Sequence, residues 1–266
     1  MRERYEASAR AAVEERRAYG AVIAGEATIE VVVAPAASLP IAEALRGDLA
    51  ARLKQAGPVR VTVVHRLPAD DARGIVGFYV VVGWVVAGYL GATLLGLAFG
   101  TRPVRLRVAW RLGGVALLGL LMGLGGAVLA QGIGGLGGSL LGLAAVGMLT
   151  VMAVGWVTVG LQAVFGVLGT AIAILIFVVL ANPSSGGPFA PELLPVFWRT
   201  IGGALPTGAS VTAVRDVAYF PAASIGGALL VLLAWAVAGG LVALVAGSRP
   251  TAPGEGEAAM AAAAAP

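Results

Sequence analysis

Few residues in this chain have the types and spacing that chemistry needs. The only lysine, Lys54, stands in "ARLKQAG", away from any G-x-x-x-x-G-K-[ST] phosphate loop, so ATP hydrolysis must come from elsewhere. The only histidine, His65, ends the strand-like run "VRVTVVH" and reads as a surface or domain-packing residue. Cysteine is absent, which excludes disulfides, thiol catalysis and cysteine metal sites. No Ser/His/Asp set, paired carboxylates or metal-ligand spacing emerges, so no catalytic, cofactor-binding or metal-binding residue is assigned, no cofactor is expected, and the chain does not read as an enzyme. Asp70, Asp71 and Arg73 read as a solvated cluster, and Arg215 with Asp216 as a water-exposed pair worth little energetically. The long apolar stretches offer neutral polar groups, Thr93, Gln131, Thr150, Thr158, Gln162 and Thr170, which disfavours proton or sodium coupling.

The elements that must position these residues belong to a membrane protein. The 266 residues are 59% hydrophobic and 12% charged, with 40 glycines and a mean hydropathy of +0.92. The net charge of +4 does not indicate nucleic acid, because the basic residues of the N-terminal third are matched by acids and no basic patch carries interleaved aromatics. Residues 1–73 hold 11 of the 18 Lys/Arg, whereas residues 74–101 hold none and Leu112 to Pro191 is another uncharged run. A crossing needs about 20 apolar residues. The pattern predicts a mainly α, polytopic helical membrane domain over residues 74–248, with about five spans at 74–100, 110–131, 139–161, 163–182 and 222–247. Breaks are expected at "QGIGGLGG" and near "GLQAVFG", and residues 249–266 read as a disordered cytoplasmic tail.

The loop "TRPVRLRVAWR" carries Arg102, Arg105, Arg107 and Arg111 without an acid, which the positive-inside rule places in the cytoplasm. The plasma membrane is therefore the expected location, with residues 1–73 extracytoplasmic and the C-terminus cytoplasmic. Residues 1–73 read as a small, partial α/β region: a charged helix, the runs "AVIAG" and "TIEVVVA", a helix through Ile41, Leu45, Leu49 and Leu53, and a third strand. Its small core calls for more strands, another copy or a partner. Such a region should follow a signal peptide or a preceding helix, and "MRERYEASARAAVEERRAYG" is neither. An upstream transmembrane helix is expected, the alternative being unaided insertion.

Residues 183–221 break the apolar pattern. "NPSSGG" is turn chemistry, Leu194, Phe197, Trp198 and Ile201 fall at helical spacing, and so do Val211, Val214 and Ala218. The segment reads as a helical hairpin lying in the outer interface, with Pro195, Trp198, Pro206, Arg215 and Tyr219 as its marked positions; an ordinary connecting loop is the alternative. Rows of small residues, Gly83 with Gly91, Gly119 with Gly123, and Gly134, Gly138 and Gly142, are expected to let helices pack closely within or between chains.

The segment "PSSGGPFAPELLPVFWRTIGGALPTGASVTAVRDVAYF", with "RAYGAVI" and "LPADDARGIVGFYVVVGWVVAGYLGA", resembles the YhgE/Pip-like (phage-infection-protein-like) membrane proteins of the ABC-2 type permease superfamily. The resemblance covers most of residues 17–246 and implies six helices, a large extracytoplasmic domain after the first of them, and a hairpin before the last. This chain lacks the first helix and the early part of that domain. The resemblance further implies membrane lipid as surroundings, a homodimer or hetero-oligomer, a separate ATPase subunit, and export of an amphipathic or envelope-related substrate. Two other readings stand beside it: a non-transporting envelope protein that binds a partner through its outer domain, and a non-functional fragment.

Overall fold

The structure is a computed structural model and describes residues 2–25, 27–101 and 105–248. The N-terminal unit opens with α1 (Arg2–Glu14), followed by β1 (Gly20–Ala24), β2 (Ile29–Val33) and β3 (Val59–Val63). β1 runs antiparallel to β2, with Ala21 opposite Val32, and β2 runs parallel to β3, with Val31 opposite Val61. The parallel pair needs a crossover. It is supplied by α2 (Leu39–Ala44), a π-helical turn and α3 (Ala50–Leu53).

Alternation along β2 builds two small cores, because successive side chains of a strand point to opposite faces. Val31 and Val33 pack with Ala42, Leu45 and Leu53 of the crossover. Val32 packs on the other face with Val13 of α1, Ile23 and Phe220. Phe220 comes from the far end of the chain, so the segment before the last long helix completes the core of the N-terminal unit.

Among the described residues, four helices are long and apolar enough to cross a membrane: α4 (Val76–Phe99), α5 (Arg105–Gly132), α6 (Leu140–Phe165) and α11 (Gly226–Gly247). α6 lies at the centre and packs against α4, α5 and α11. Leu97, Leu117, Leu121, Leu129, Leu141, Leu230 and Val245 point outward from this bundle, an apolar coat suited to lipid and costly in water. The chain is accordingly a helical, membrane-embedded protein with a small three-stranded sheet.

Five crossings are expected from the sequence, and the fourth of these differs in the structure. α7 (Leu168–Ile174), a π-helical segment (Leu175–Leu180) and α8 (Ala181–Ser184) form one rod of 17 residues, or about 26 Å at 1.5 Å per residue. Gly166, with φ at +60°, ends α6 and delays the start of the rod. The other expected break coincides with the α5–α6 turn. There Gly138 has φ at +86°, and an added Cβ would stand 2.1 Å from the Val217 carbonyl oxygen. Gly134 and Gly138 thus belong to a turn, which corrects their reading, with Gly142, as a helical packing row.

The arginine-rich loop is also corrected. Arg105, Arg107 and Arg111 lie within α5, and Arg102 lies outside the described residues, as does the tail at 249–266. Arg111 is 1% exposed, buried among helices rather than free in a loop.

Candidate functional site

The hairpin at residues 183–221 divides into two unlike helices. α9 (Val196–Gly202), capped by Pro195, is exposed along Val196 and Phe197, and Trp198 meets Phe197 edge-on at 5.1 Å, which suits a helix against lipid. α10 (Pro206–Tyr219) is buried over its whole first turn and a half, from Pro206 to Val211, and packs among α4, α6, α8 and α11. An interfacial helix would bury one face only. α10 instead enters the bundle.

Its depth follows from its partners. The Ser210 hydroxyl is 2.7 Å from that of Thr150, ten residues beyond the start of α6. The indole N–H of Trp235, nine residues beyond the start of α11, donates to the Ala204 carbonyl at 2.8 Å. At about 1.5 Å per residue both markers lie near the middle of the bundle. A turn at such depth must satisfy its backbone internally. Here the Ala204 N–H donates to Ile201, the Leu205 N–H donates to Gly202, and Trp235 serves the Ala204 carbonyl. Pro206, at the first helical position, has no N–H to satisfy. The turn needs small residues as well. A Cβ on Gly202 would stand 1.9 Å from the Ser184 carbonyl oxygen, and one on Gly208 would stand 2.1 Å from that of Gly202.

The other end of α10 is clamped by the N-terminal unit. The Arg16 guanidinium pairs with the Asp216 carboxylate and donates to the Thr212 carbonyl at 3.2 Å, gripping one turn of α10. The His65 ring lies 4.4 Å from that of Phe220, while its Nε2 meets the Glu14 carboxylate. Arg16 and His65 have φ of +56° and +46°, left-handed conformations that cost energy in non-glycine residues and persist where surrounding contacts fix them. Both strained residues contact the end of α10. Asp71, 3% exposed, accepts the N–H groups of Ile75 (2.9 Å) and Val76 (3.1 Å) at the start of α4, so it is a helix cap rather than part of a solvated cluster.

Arg215 and Asp216 are not the water-exposed pair expected, because neighbours along a helix point in different directions. Arg215 donates to the carbonyls of Gly186 (3.3 Å) and Gly187 (2.8 Å), fixing the loop after α8. Burial, with Arg16 nearby, lowers it to about 10, and it stays cationic at neutral pH. Burial raises the Asp216 carboxyl, and Arg16 opposes that rise. The Tyr19 phenol is pushed up by burial and by Glu192, to whose carboxylate it donates. The Tyr219 phenol is pushed up by burial and by Asp71. A cavity of about 310 Å³ opens at this junction, lined by Arg16, Arg17, Tyr19, Glu192, Thr212 and Asp216.

Two polar places remain inside the bundle. Near the far end, Arg111 donates to the Ala92 carbonyl at 3.3 Å and to Gln162 Oε1, and the Gln162 amide donates to Thr170 at 2.7 Å. Its partners are neutral oxygens. At the deep end of α10, Thr207 and Asn182 line a cavity of about 50 Å³ with Val82, Val85, Val86, Tyr89, Phe177 and Val178. Thr207 Oγ1 and Asn182 Oδ1 are both buried there without a hydrogen-bond partner among the described residues. The turn expected at "NPSSGG" begins later than the sequence suggests, since residues 182–184 are still helical in α8, and nothing in the sequence places Thr207 opposite Asn182.

Of the expected packing glycines, Gly119 and Gly123 join α5 to α6 within the chain, and Gly91 receives Leu118 of α5. Gly83 faces open space, and Gly142 lies beside Val217. Sequence reading missed Gly160 and Gly239, which bring α6 and α11 together: a Cβ on Gly239 would stand 2.4 Å from the Val157 nitrogen. No three His, Asp or Glu side chains among the described residues converge as a metal site would require. No protein-family model, curated protein or solved structure matches the chain.

Proposed function

We propose that the chain is an ABC-2-like permease subunit that exports an amphipathic or envelope-related substrate and draws on a separate ATPase. The observation that carries this reading is α10, held at one end by the N-terminal unit and at the other beside a small, mostly apolar cavity in the middle of the bundle. An element tied at both ends gives the two regions a mechanical link, which a permease with a working outer domain requires. In this reading the rod at 168–184, together with the loop that follows it, makes a fifth crossing. The plasma membrane holds the chain, with the N-terminal unit outside and the Arg105 and Arg107 end in the cytoplasm, where an ATPase would dock. The expected homodimer or hetero-oligomer belongs to the same reading, and so does the YhgE/Pip-like assignment. The test is affinity purification of the intact chain from native membranes with ATP turnover as the readout: a co-purifying ATPase supports the reading, and its absence together with unchanged amphiphile efflux on gene deletion refutes it.

The junction cavity favours one second reading, a non-transporting envelope protein that binds a partner through its outer unit. Tyr19, Arg17 and Glu192 would supply that surface. Loss of partner capture by Arg17→Glu, with efflux unchanged by deletion, would select it.

A further inference from the structure

We infer that β1 is an interface strand: it pairs antiparallel with β1 of a second copy of the chain, with Ala21 on the two-fold axis, so that two N-terminal units share one continuous sheet. The sheet ends on β1 at one side and on β3 at the other. In an antiparallel pair the backbone groups of successive residues turn alternately toward the partner strand and away from it. The Ala34 N–H donates to the Tyr19 carbonyl and the Gly25 N–H to the Thr28 carbonyl, which sets the alternation. Ala21 and Ile23 therefore face β2, while Gly20 and Val22 turn their N–H and C=O groups outward, where they meet no partner among the described residues. Natural edges are guarded by charge, proline or a covering element. β3 carries Arg60, whereas β1 has neither charge nor proline. Tyr5 and Val22, 73% and 47% exposed, flank that edge. A cavity of about 340 Å³ between α1 and β1, lined by Tyr5, Glu6, Ala9, Val22, Ile23 and Ala24, leaves it open.

The layers of the fold select a second copy as the occupant. Val32 turns toward α1 and Phe220, and Val31 and Val33 turn toward the crossover helices on the opposite face. Because α10 runs from the middle of the bundle to Phe220, the sheet lies across the end of the bundle with one face toward it. A two-fold axis that joins two β1 edges antiparallel stands perpendicular to the sheet, and so along the bundle. Two copies inserted in the same sense in one membrane require an axis of that direction. The edge also complements itself. With Ala21 on the axis, Gly20 stands opposite Val22 of the second copy, and each such pair exchanges both of its N–H···O=C bonds. Gly20 has no side chain, and Leu45 lies where its Cβ would be, 2.6 Å away, so Val22 of the second copy packs against Leu45. This contact deepens the homodimer of the permease reading and rests on that reading only in placing both copies in one membrane; it needs no ATPase.

The experiment uses the full chain in native membranes with Ala21→Cys as its only thiol. Opposed residues of a non-hydrogen-bonded antiparallel pair have Cα atoms about 4.5 Å apart, within the range of a disulfide. Oxidation with copper phenanthroline should therefore give a disulfide-linked homodimer, identified by mass spectrometry. Val61→Cys, 37% exposed on the opposite edge, should stay monomeric. Adding Val22→Pro to Ala21→Cys removes an outward N–H from each copy and should lower the yield of dimer about tenfold. An edge strand tolerates proline where its N–H points away from the sheet, so the thermal midpoint in detergent should move little. Val22→Lys, which sets like charges on either side of the axis, gives a second readout if Val22→Pro folds poorly. Absence of the dimer, linkage of Ala21→Cys to a different protein, equal dimer from Val61→Cys, or unchanged yield in both Val22 variants would each overturn the inference. A missing ATPase would bear on the permease reading alone, and a missing dimer would leave the test by ATP turnover standing.

Discussion

At Arg16 and Asp216, burial and charge pairing act against each other, and the sign of their sum can be tested. Because burial raises the Asp216 carboxyl in the folded protein, its contribution to stability is complete below the ordinary carboxylate range and is lost as pH rises through the raised folded value. Arg16 limits that loss by pairing with the carboxylate. Arg16→Gln removes the limit and leaves a carboxylate that is 6% exposed without its ion-pair partner, a change that costs about 3 kcal/mol. Limited proteolysis of the N-terminal unit should therefore run much faster in Arg16→Gln than in the parent at about pH 8, and the excess should shrink at a lower pH, because the raised carboxyl takes up a proton as the pH falls. The double variant Arg16→Gln with Asp216→Asn should show little dependence on pH. A single variant whose cleavage is equally fast at both values contradicts this account. Arg111 follows related rules. Gln162→Leu removes the acceptor from a buried cation and is expected to lower the thermal midpoint more than Arg111→Met, which removes the cation itself.

Helices that touch through glycine are sensitive to single methyl groups, in a pattern that their spacing alone does not give. A Cβ on Gly123 would stand 2.5 Å from the Ala144 carbonyl oxygen and 2.6 Å from the Met148 nitrogen, backbone atoms that cannot turn aside. Gly125, on the same helix, would meet nothing within 4 Å. Gly123→Ala should thus force α5 from α6 and cost about 1–3 kcal/mol. Gly125→Ala should leave stability unchanged or slightly raised through helix propensity, and thermal unfolding in detergent separates the two. Equal effects at both positions would show that the α5–α6 approach is looser than described. The same contrast explains what could be read from sequence. Hydrophobic runs located α4, α5, α6 and α11 because apolar length is a local property, short β-rich runs located β1 and β2, and alternation located β3. Arg111 and α10 were misplaced because their positions depend on tertiary partners. Nothing near Arg111 shows that Gln162 will meet it, and the apolar spacing of Val211 and Val214 is the same for a helix lying on a surface as for one inserted among α4, α6 and α11.

Across the whole molecule, the two ends of α10 connect regions that composition divides sharply. The N-terminal unit takes Phe220 into its core, and the bundle takes Thr207, Ser210 and Val214 into its own. Removing residues 196–220 should consequently expose Val32 and Ile23 in the unit while opening a gap among α4, α6 and α11, so neither part is expected to keep its packing alone. The proposed arrangement across the membrane can be checked by labelling, since the natural chain has no cysteine and each introduced thiol reports one position. Leu193→Cys, at a site 52% exposed in the loop before α9, should react with an impermeant maleimide in intact cells if the unit and hairpin face outward. Thr101→Cys, in the turn between α4 and α5, should react only after the cells are opened. Ser210→Cys should resist the reagent in both conditions until detergent unfolds the bundle, because its position is fully buried against Thr150. Reaction of Thr101→Cys in intact cells would invert the proposed orientation and leave the insertion of α10 untouched, whereas ready reaction of Ser210→Cys would remove α10 from the bundle whichever way the chain is oriented.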